Sequence, residues 1–135
     1  MKILPLIITV GALSLSACEQ AQTGPSDYDN RQALADCYIG QTGASLEASN
    51  GGSRIKIMES LNMCRGLSDD LMIGLAKEKL VKGLKDPFSV QYEDVRRSGL
   101  KVTGRYNAKN SYGAYTGYKS FEVGLSPETG RWYSR

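Results

Sequence analysis

The sequence predicts an α+β domain in which two or three N-terminal helices precede a small antiparallel sheet of three to four strands. Before Pro87, apolar residues recur at the three- and four-residue spacing of amphipathic helices. After Pro87, apolar and polar residues alternate, which is typical of half-buried strands. Short turn-forming segments separate the predicted strands, and short connections join antiparallel neighbours. A run of helices followed by a run of strands indicates the α+β class.

Residues 1–17 are typical of a signal peptide that is removed after export. Lys2 precedes an apolar run over residues 3–13, which is the charge and hydropathy order of a secretory signal. The run is too short for a membrane-spanning helix, which needs about 20 apolar residues. It ends in Leu15-Ser16-Ala17-Cys18, which resembles the lipobox of bacterial lipoproteins. That resemblance implies cleavage before Cys18 and acylation of its sulfur and of its new amino group.

A lipid on Cys18 makes the membrane the first predicted partner and the bacterial cell envelope the predicted location. Several acyl chains give durable anchoring where one does not. Glu19 follows the cysteine, whereas an Asp would resemble an inner-membrane retention signal, so we expect the outer membrane and a protein facing the periplasm. Residues 18–26 lack apolar periodicity and contain Gly24-Pro25, which indicates a lipidated tether. Residues 27–135 then form a single α+β domain.

The helical part contains three predicted helices and one predicted loop. Serines that can cap a helix precede the second and third helices, and acidic residues begin the third. The segment 41–52 is small and polar and ends in Asn-Gly-Gly, so we expect a loop with at most a helical turn around Leu46. The predicted helices run from Ser26 or Asp27 to Tyr38, from Ser53 to Gly66, and from Ser68 to Lys85.

Cys37 and Cys64 are the only cysteines besides Cys18. An even pair of cysteines in an exported protein favours a disulfide, and both lie on the apolar face of a predicted helix. The bond would staple two antiparallel helices. The alternative is that both thiols are small buried side chains without a bond.

The strand part begins after Pro87. The alternating segments predict strands at 88–95, 100–106 and 118–125, with a short last strand at 131–133. The first two form a hairpin around Gly99. The last strand lies at a chain end and is predicted to form an edge of the sheet.

The composition excludes the usual catalytic machinery. The sequence has no histidine, so the commonest general base and metal ligand is missing. The acidic pairs Asp69/Asp70 and Glu93/Asp94 are adjacent residues, which point apart on a helix or a strand. No nucleophile or phosphate-loop motif is present. We therefore expect a protein that is not an enzyme, with no catalytic residue, cofactor or metal site, and no nucleic-acid partner.

Residues 107–118 are the unusual segment of the predicted domain. They hold three tyrosines, two asparagines and two glycines among twelve residues. Tyrosine supplies rigid contact area with a polar tip, and asparagine supplies adaptable hydrogen bonds, so the mix favours recognition of a partner. The alternative is that the tyrosines only cover the open end of the sheet. The predicted binding residues are Asn107, Lys109, Asn110, Tyr112, Tyr115 and Tyr118.

Residues 84–123 resemble a family of small exported bacterial proteins to which no activity is assigned. The resemblance centres on the Asn-Ala-Lys-Asn-Ser-Tyr-Gly motif of residues 107–113. Members often have a cysteine where Thr103 stands here, so a disulfide from that position does not carry over. The resemblance implies a shared fold and no chemistry. In layout alone, the chain is also similar to the small outer-membrane lipoprotein of the β-barrel assembly machine.

These observations favour a non-catalytic envelope lipoprotein whose globular domain binds another envelope protein through residues 107–118 or a nearby sheet edge. Two alternatives remain at this point. One is a surface-exclusion or phage-immunity lipoprotein of a mobile element. The other is binding of peptidoglycan or another glycan by the tyrosines.

Overall fold

The computed structural model describes residues 27–135 and has three α-helices followed by one four-stranded antiparallel sheet, which confirms the predicted α+β class. The predicted signal peptide, the tether and Cys18 lie outside the described residues. Short 3₁₀ turns occupy Asn62–Gly66 and Pro87–Ser89. In chain order, the elements are α1 (Asp27–Ser49), α2 (Arg54–Leu61), α3 (Asp69–Val81), β1 (Gln91–Ser98), β2 (Lys101–Asn107), β3 (Lys119–Leu125) and β4 (Trp132–Ser134).

Helix α1 continues through Gly40 to Ser49, so the predicted stop at Tyr38 and the predicted loop over 41–52 are wrong. The small residues lie where α1 crosses α2. A Cβ at Gly40 would lie 2.9 Å from the Cβ of Met63, and Ala44 is fully buried. Small side chains let two helix backbones approach closely, and this packing outweighs the low helix propensity of glycine.

The serine caps are placed as predicted. Ser53 Oγ accepts a hydrogen bond from the backbone N–H of Lys56 at 3.5 Å, and Ser68 Oγ accepts one from the N–H of Leu71 at 3.3 Å. Each bond satisfies one N–H group that has no partner within its helix. Helix α3 ends at Val81, before the predicted Lys85.

Cys37 of α1 and Cys64 of the first 3₁₀ turn form a disulfide, which confirms the predicted pair. Both residues are buried in the core. The bond fixes α1 against the segment that follows α2. It closes a loop of 27 residues in a domain that otherwise relies on one modest hydrophobic core.

The sheet has the strand order β1-β2-β3-β4, with every neighbouring pair antiparallel. Val102 of β2 lies opposite Val123 of β3, and both are fully buried. Helix α3 contacts all four strands, so the core lies between it and one face of the sheet. The edges of the sheet are β1 and β4.

Strand β1 begins later than predicted and is irregular. Residues Pro87–Ser89 form a 3₁₀ turn, and the strand starts at Gln91. Its register with β2 shifts between Glu93 and Arg96, and Asp94 has a φ of 52°. This bulge interrupts the edge ladder, which impedes pairing with a strand from another molecule.

The guanidinium of Arg97 ties the end of β1 to the start of α3. It donates to the backbone carbonyl oxygens of Leu67 and of Arg65, the latter at 3.2 Å, and lies 3.3 Å from a carboxylate oxygen of Asp69. Its side chain is almost fully buried. These contacts satisfy carbonyls at the end of a 3₁₀ turn, so the positive charge lies where a helix end is negative.

The turn between β3 and β4 packs on α1. Gly130 has a φ of +66°, and a Cβ there would lie 2.6 Å from the backbone of Ala44. Arg131 Nε donates to Ser45 Oγ at 3.3 Å. Among residues 27–135, none of the helices combines the length and the apolarity that spanning a membrane requires.

Candidate functional site

The segment that the sequence singles out connects β2 to β3 and forms a folded loop. We call residues 107–118 the tyrosine loop. Asn107 ends β2 and is buried, and its Oδ1 accepts a hydrogen bond from the N–H of Gly117 at 3.1 Å. The bond joins the two ends of the loop, and Gly117 has the positive φ of 90° that glycine tolerates best.

Asn110 organises the tip of the tyrosine loop. Its Oδ1 accepts from the N–H of Tyr112 at 2.9 Å and from the N–H of Ala114 at 3.1 Å. Its backbone N–H donates to the carbonyl of Ala114 at 2.8 Å, and its carbonyl accepts from the N–H of Gly113 at 3.0 Å. Asparagine side chains commonly fix turns in this way. The Oδ1 atoms of Asn107 and Asn110 thus hold the loop in shape from within.

The three tyrosines lie on the outside of this frame. Tyr112 is 94% exposed, and Tyr115 and Tyr118 are 43% and 39% exposed. Lys109 Nζ lies 5.4 Å from the ring centroid of Tyr115, and Arg105 Cζ lies 5.3 Å from that of Tyr118. Cations at such distances from an aromatic ring are attracted to its face. The structure thus brings four of the predicted residues, Lys109 and the tyrosines, to the outer surface of the loop.

A second segment joins this surface and was missed by the sequence reasoning. The 3₁₀ turn Pro87–Ser89 lies against the tyrosine loop, because the backbone N–H of Lys109 donates to Ser89 Oγ at 3.0 Å. Lys85 Nζ also donates to Ser111 Oγ at 3.0 Å. Phe88, which was predicted to lie in a half-buried strand, is 99% exposed. Exposed aromatic side chains on two segments that are bonded together are a feature of binding surfaces.

The surroundings of the tyrosine loop are basic. Lys109 lies in the loop, and Arg105 and Lys119 lie near the ends of the two strands that the loop connects. Lys85 adds a further cation from the other side of the loop. Arg105 is neutralised by Glu93, at 2.9 Å between Nη1 and Oε2.

The acidic residues that were considered for catalysis lie in separate parts of the fold. Asp69 lies 3.3 Å from the guanidinium of Arg97, and Glu93 pairs with Arg105. Asp94 lies in the β-bulge. Over residues 27–135, no three metal-ligating side chains lie together in a way that would hold a metal ion.

A polar cluster lies on the face of the sheet away from α3. Glu122 accepts from Tyr133 Oη at 2.9 Å and from Lys101 Nζ at 3.2 Å. The hydrogen bond from Tyr133, and then the one from Lys101, lowers the pKa of Glu122 below its ordinary value of 4.5. Burial, followed by the hydrogen bond to Glu122, raises the pKa of Tyr133. The cluster ties β2, β3 and β4 together.

A shallow groove of about 460 Å³ lies between α1 and the β3–β4 turn. Tyr38, Thr42, Leu46 and Arg131 are among the residues that line it. No acidic side chain lines it, and the hydroxyls of Thr42, Ser45 and Ser49 are already bonded within the protein. The exposed aromatic tip of the tyrosine loop is therefore the stronger candidate site.

No family model, curated protein or solved structure matches this chain. The function is therefore inferred from the geometry and chemistry of the described residues.

Proposed function

We propose that this protein is a non-catalytic envelope lipoprotein whose domain binds another envelope protein through the tyrosine loop and Phe88. One observation supports this proposal most strongly. Phe88 and Tyr112 are almost fully exposed on two segments that hydrogen bonds hold together. A large aromatic side chain that stays in water does not contribute the stabilisation that its burial would give, so a binding role accounts for the position of these two.

The shape of the loop favours a protein partner. Its frame is fixed by the side chains of Asn107 and Asn110, so little conformational entropy is lost when it binds. Exposed aromatic anchors surrounded by polar groups are typical of protein interfaces. The edges of the sheet are weaker candidates for binding a partner, because β1 has a bulge and β4 has only three residues.

The proposed anchor is a lipid on Cys18 in the outer membrane, with the domain facing the periplasm. The support for it is the lipobox-like ending of an apolar run that is too short to span a bilayer. An anchored domain behind a short tether reaches only partners near its own membrane. The partner is therefore sought in the envelope.

A pull-down from envelope extracts tests the proposed function. The Tyr112→Ala/Tyr115→Ala variant removes two aromatic contacts and leaves both asparagines of the frame in place. If the pair contributes about 2 kcal/mol to binding, retention of the partner falls about 30-fold. The measurement is the amount of partner retained at a series of protein concentrations.

The matched control is Tyr28→Ala/Tyr38→Ala, which removes two tyrosines that are 69% and 73% exposed on α1. We expect this control to retain the partner as the unchanged protein does. Equal retention by the loop variant and the control would contradict the proposed function.

A further inference from the structure

Two ammonium groups at the tyrosine loop have no counter-ion among residues 27–135. Lys85 Nζ is held by Ser111 Oγ, and Lys109 Nζ lies over the ring of Tyr115. Within residues 27–135, neither lysine forms an ion pair, and Asp86, the residue after Lys85, pairs with neither. Their positive charge is therefore free to be neutralised by a partner.

Some other cations of the domain are paired with carboxylates. Lys82 pairs with Glu78 at 3.1 Å, and Lys101 pairs with Glu122 at 3.2 Å. Other cations among residues 27–135, such as Lys56 and Lys119, also form no ion pair, so Lys85 and Lys109 are distinguished by their contacts with Ser111 and Tyr115 of the tyrosine loop. The hydroxyl of Ser111 and the ring of Tyr115 restrict both lysines, so fixing them in a complex loses less side-chain entropy than usual.

From these contacts we infer that the binding segment of the partner is an acidic protein segment with an apolar anchor. Its carboxylates face Lys85 and Lys109, and its apolar side chain packs between Phe88 and Tyr112. This inference rests on the proposed function and specifies the partner's chemistry at the same site.

Carboxylates fit this surface better than phosphate groups. Phosphate sites commonly use arginine forks or clusters of free backbone N–H groups. The N–H groups of Tyr112, Ala114 and Gly117 already donate to Asn110 or Asn107, and Arg105 is paired with Glu93. The cations left to contact a ligand are Lys85 and Lys109. Each is a separate point charge, which suits separate carboxylates along a peptide.

Charge reversal at the two lysines tests the inference on the full-length lipoprotein. The Lys85→Glu/Lys109→Glu variant keeps every aromatic residue of the tip. We expect retention of the partner from envelope extract to fall at least about tenfold, because like charges would then face each other. The control, Lys56→Glu/Lys82→Glu, has the same net charge and changes two exposed lysines, one on α2 and one directly after α3.

Three further readouts make the result specific. Binding by the unchanged protein should weaken as salt is raised, since exposed charges are screened. Cross-links from the tip should map to an acidic peptide of the captured protein. Replacing the acidic residues of that peptide by lysine should restore binding to the Lys85→Glu/Lys109→Glu variant.

The failures of the two proposals are distinguishable. If the lysine reversal and high salt leave retention unchanged while Tyr112→Ala/Tyr115→Ala abolishes it, the acidic segment is refuted and the proposed function stands. If neither variant changes retention, the proposed function fails as well. Cross-linking of the tip to lipid or glycan instead of protein would overturn both.

Discussion

The disulfide between Cys37 and Cys64 should provide a large part of the stability of this domain. The Cys37→Ala/Cys64→Ala variant opens a 27-residue loop that joins α1 to the segment after α2. In the chain-entropy model, closing a loop of this length stabilises the folded state by about 3.5 kcal/mol. Marginal domains have only about 5–15 kcal/mol in total, so the loss removes a substantial fraction.

The assay is urea unfolding of the purified protein, followed by the fluorescence of Trp132, the only tryptophan in the chain. Trp132 lies beside Cys37 and Leu34 in a groove between α1 and α3, so its emission reports on the packing that the disulfide holds. We expect the free energy of unfolding to fall by about 3.5 kcal/mol, and the melting temperature to fall by roughly 15 °C.

A reductant provides the internal control for the disulfide. It should bring the unchanged protein close to the variant and should leave the variant itself unaffected. A fall of less than about 1 kcal/mol in the variant, or no effect of the reductant on the unchanged protein, would refute the stabilising role derived from the loop length.

Two further predictions concern the polar cluster around Glu122 and the proposed membrane anchor. Because the folded-state pKa of Glu122 is lowered, its contribution to stability is complete above the unfolded-state pKa and is lost as the pH falls through the folded-state value. Glu122→Gln should therefore reduce the loss of stability that the protein shows as the pH falls below about 5. Thermal melts at a series of pH values measure this loss, and an equal loss in the variant and the unchanged protein would contradict the stabilising role of Glu122. Cys18→Ser should abolish palmitate labelling and membrane retention, and continued acylation of that variant would disprove the proposed anchor.

The fold class, both serine caps and the cysteine pair were predictable because each depends on local pattern. Ser53 and Ser68 precede apolar periodicity, and Cys37 and Cys64 are an even pair in a chain for which export is predicted. These signals can be recognised from residue types and their spacing. They do not require knowledge of which helix packs on which.

The length of α1 was not predictable from local pattern. Residues 41–49 are small and polar, which usually indicates a loop. Their helical state depends on contact with α2, where Gly40 and Ala44 allow close approach. That contact is between residues distant in sequence, so propensity alone favours the wrong state.

The candidate site was predicted in part. The tyrosines and Lys109 were singled out by composition, and the structure places them on the outer surface of one loop. Asn107 and Asn110 were predicted as binding residues, and the structure shows their side-chain oxygens bonded within the loop. Phe88 was missed because alternation continues through it, although Asp86-Pro87 is a turn signal that could have separated it from the strand.

Photo-cross-linking in living cells tests most simply whether the tyrosine loop binds another envelope protein. A photoreactive phenylalanine analogue at Tyr112 places the probe at the most exposed tyrosine of the loop, and the same analogue at Tyr28 serves as the control on α1. We expect a discrete adduct with one envelope protein from position 112 and none from position 28. The absence of a protein adduct at 112, or the same adduct from both positions, would contradict it.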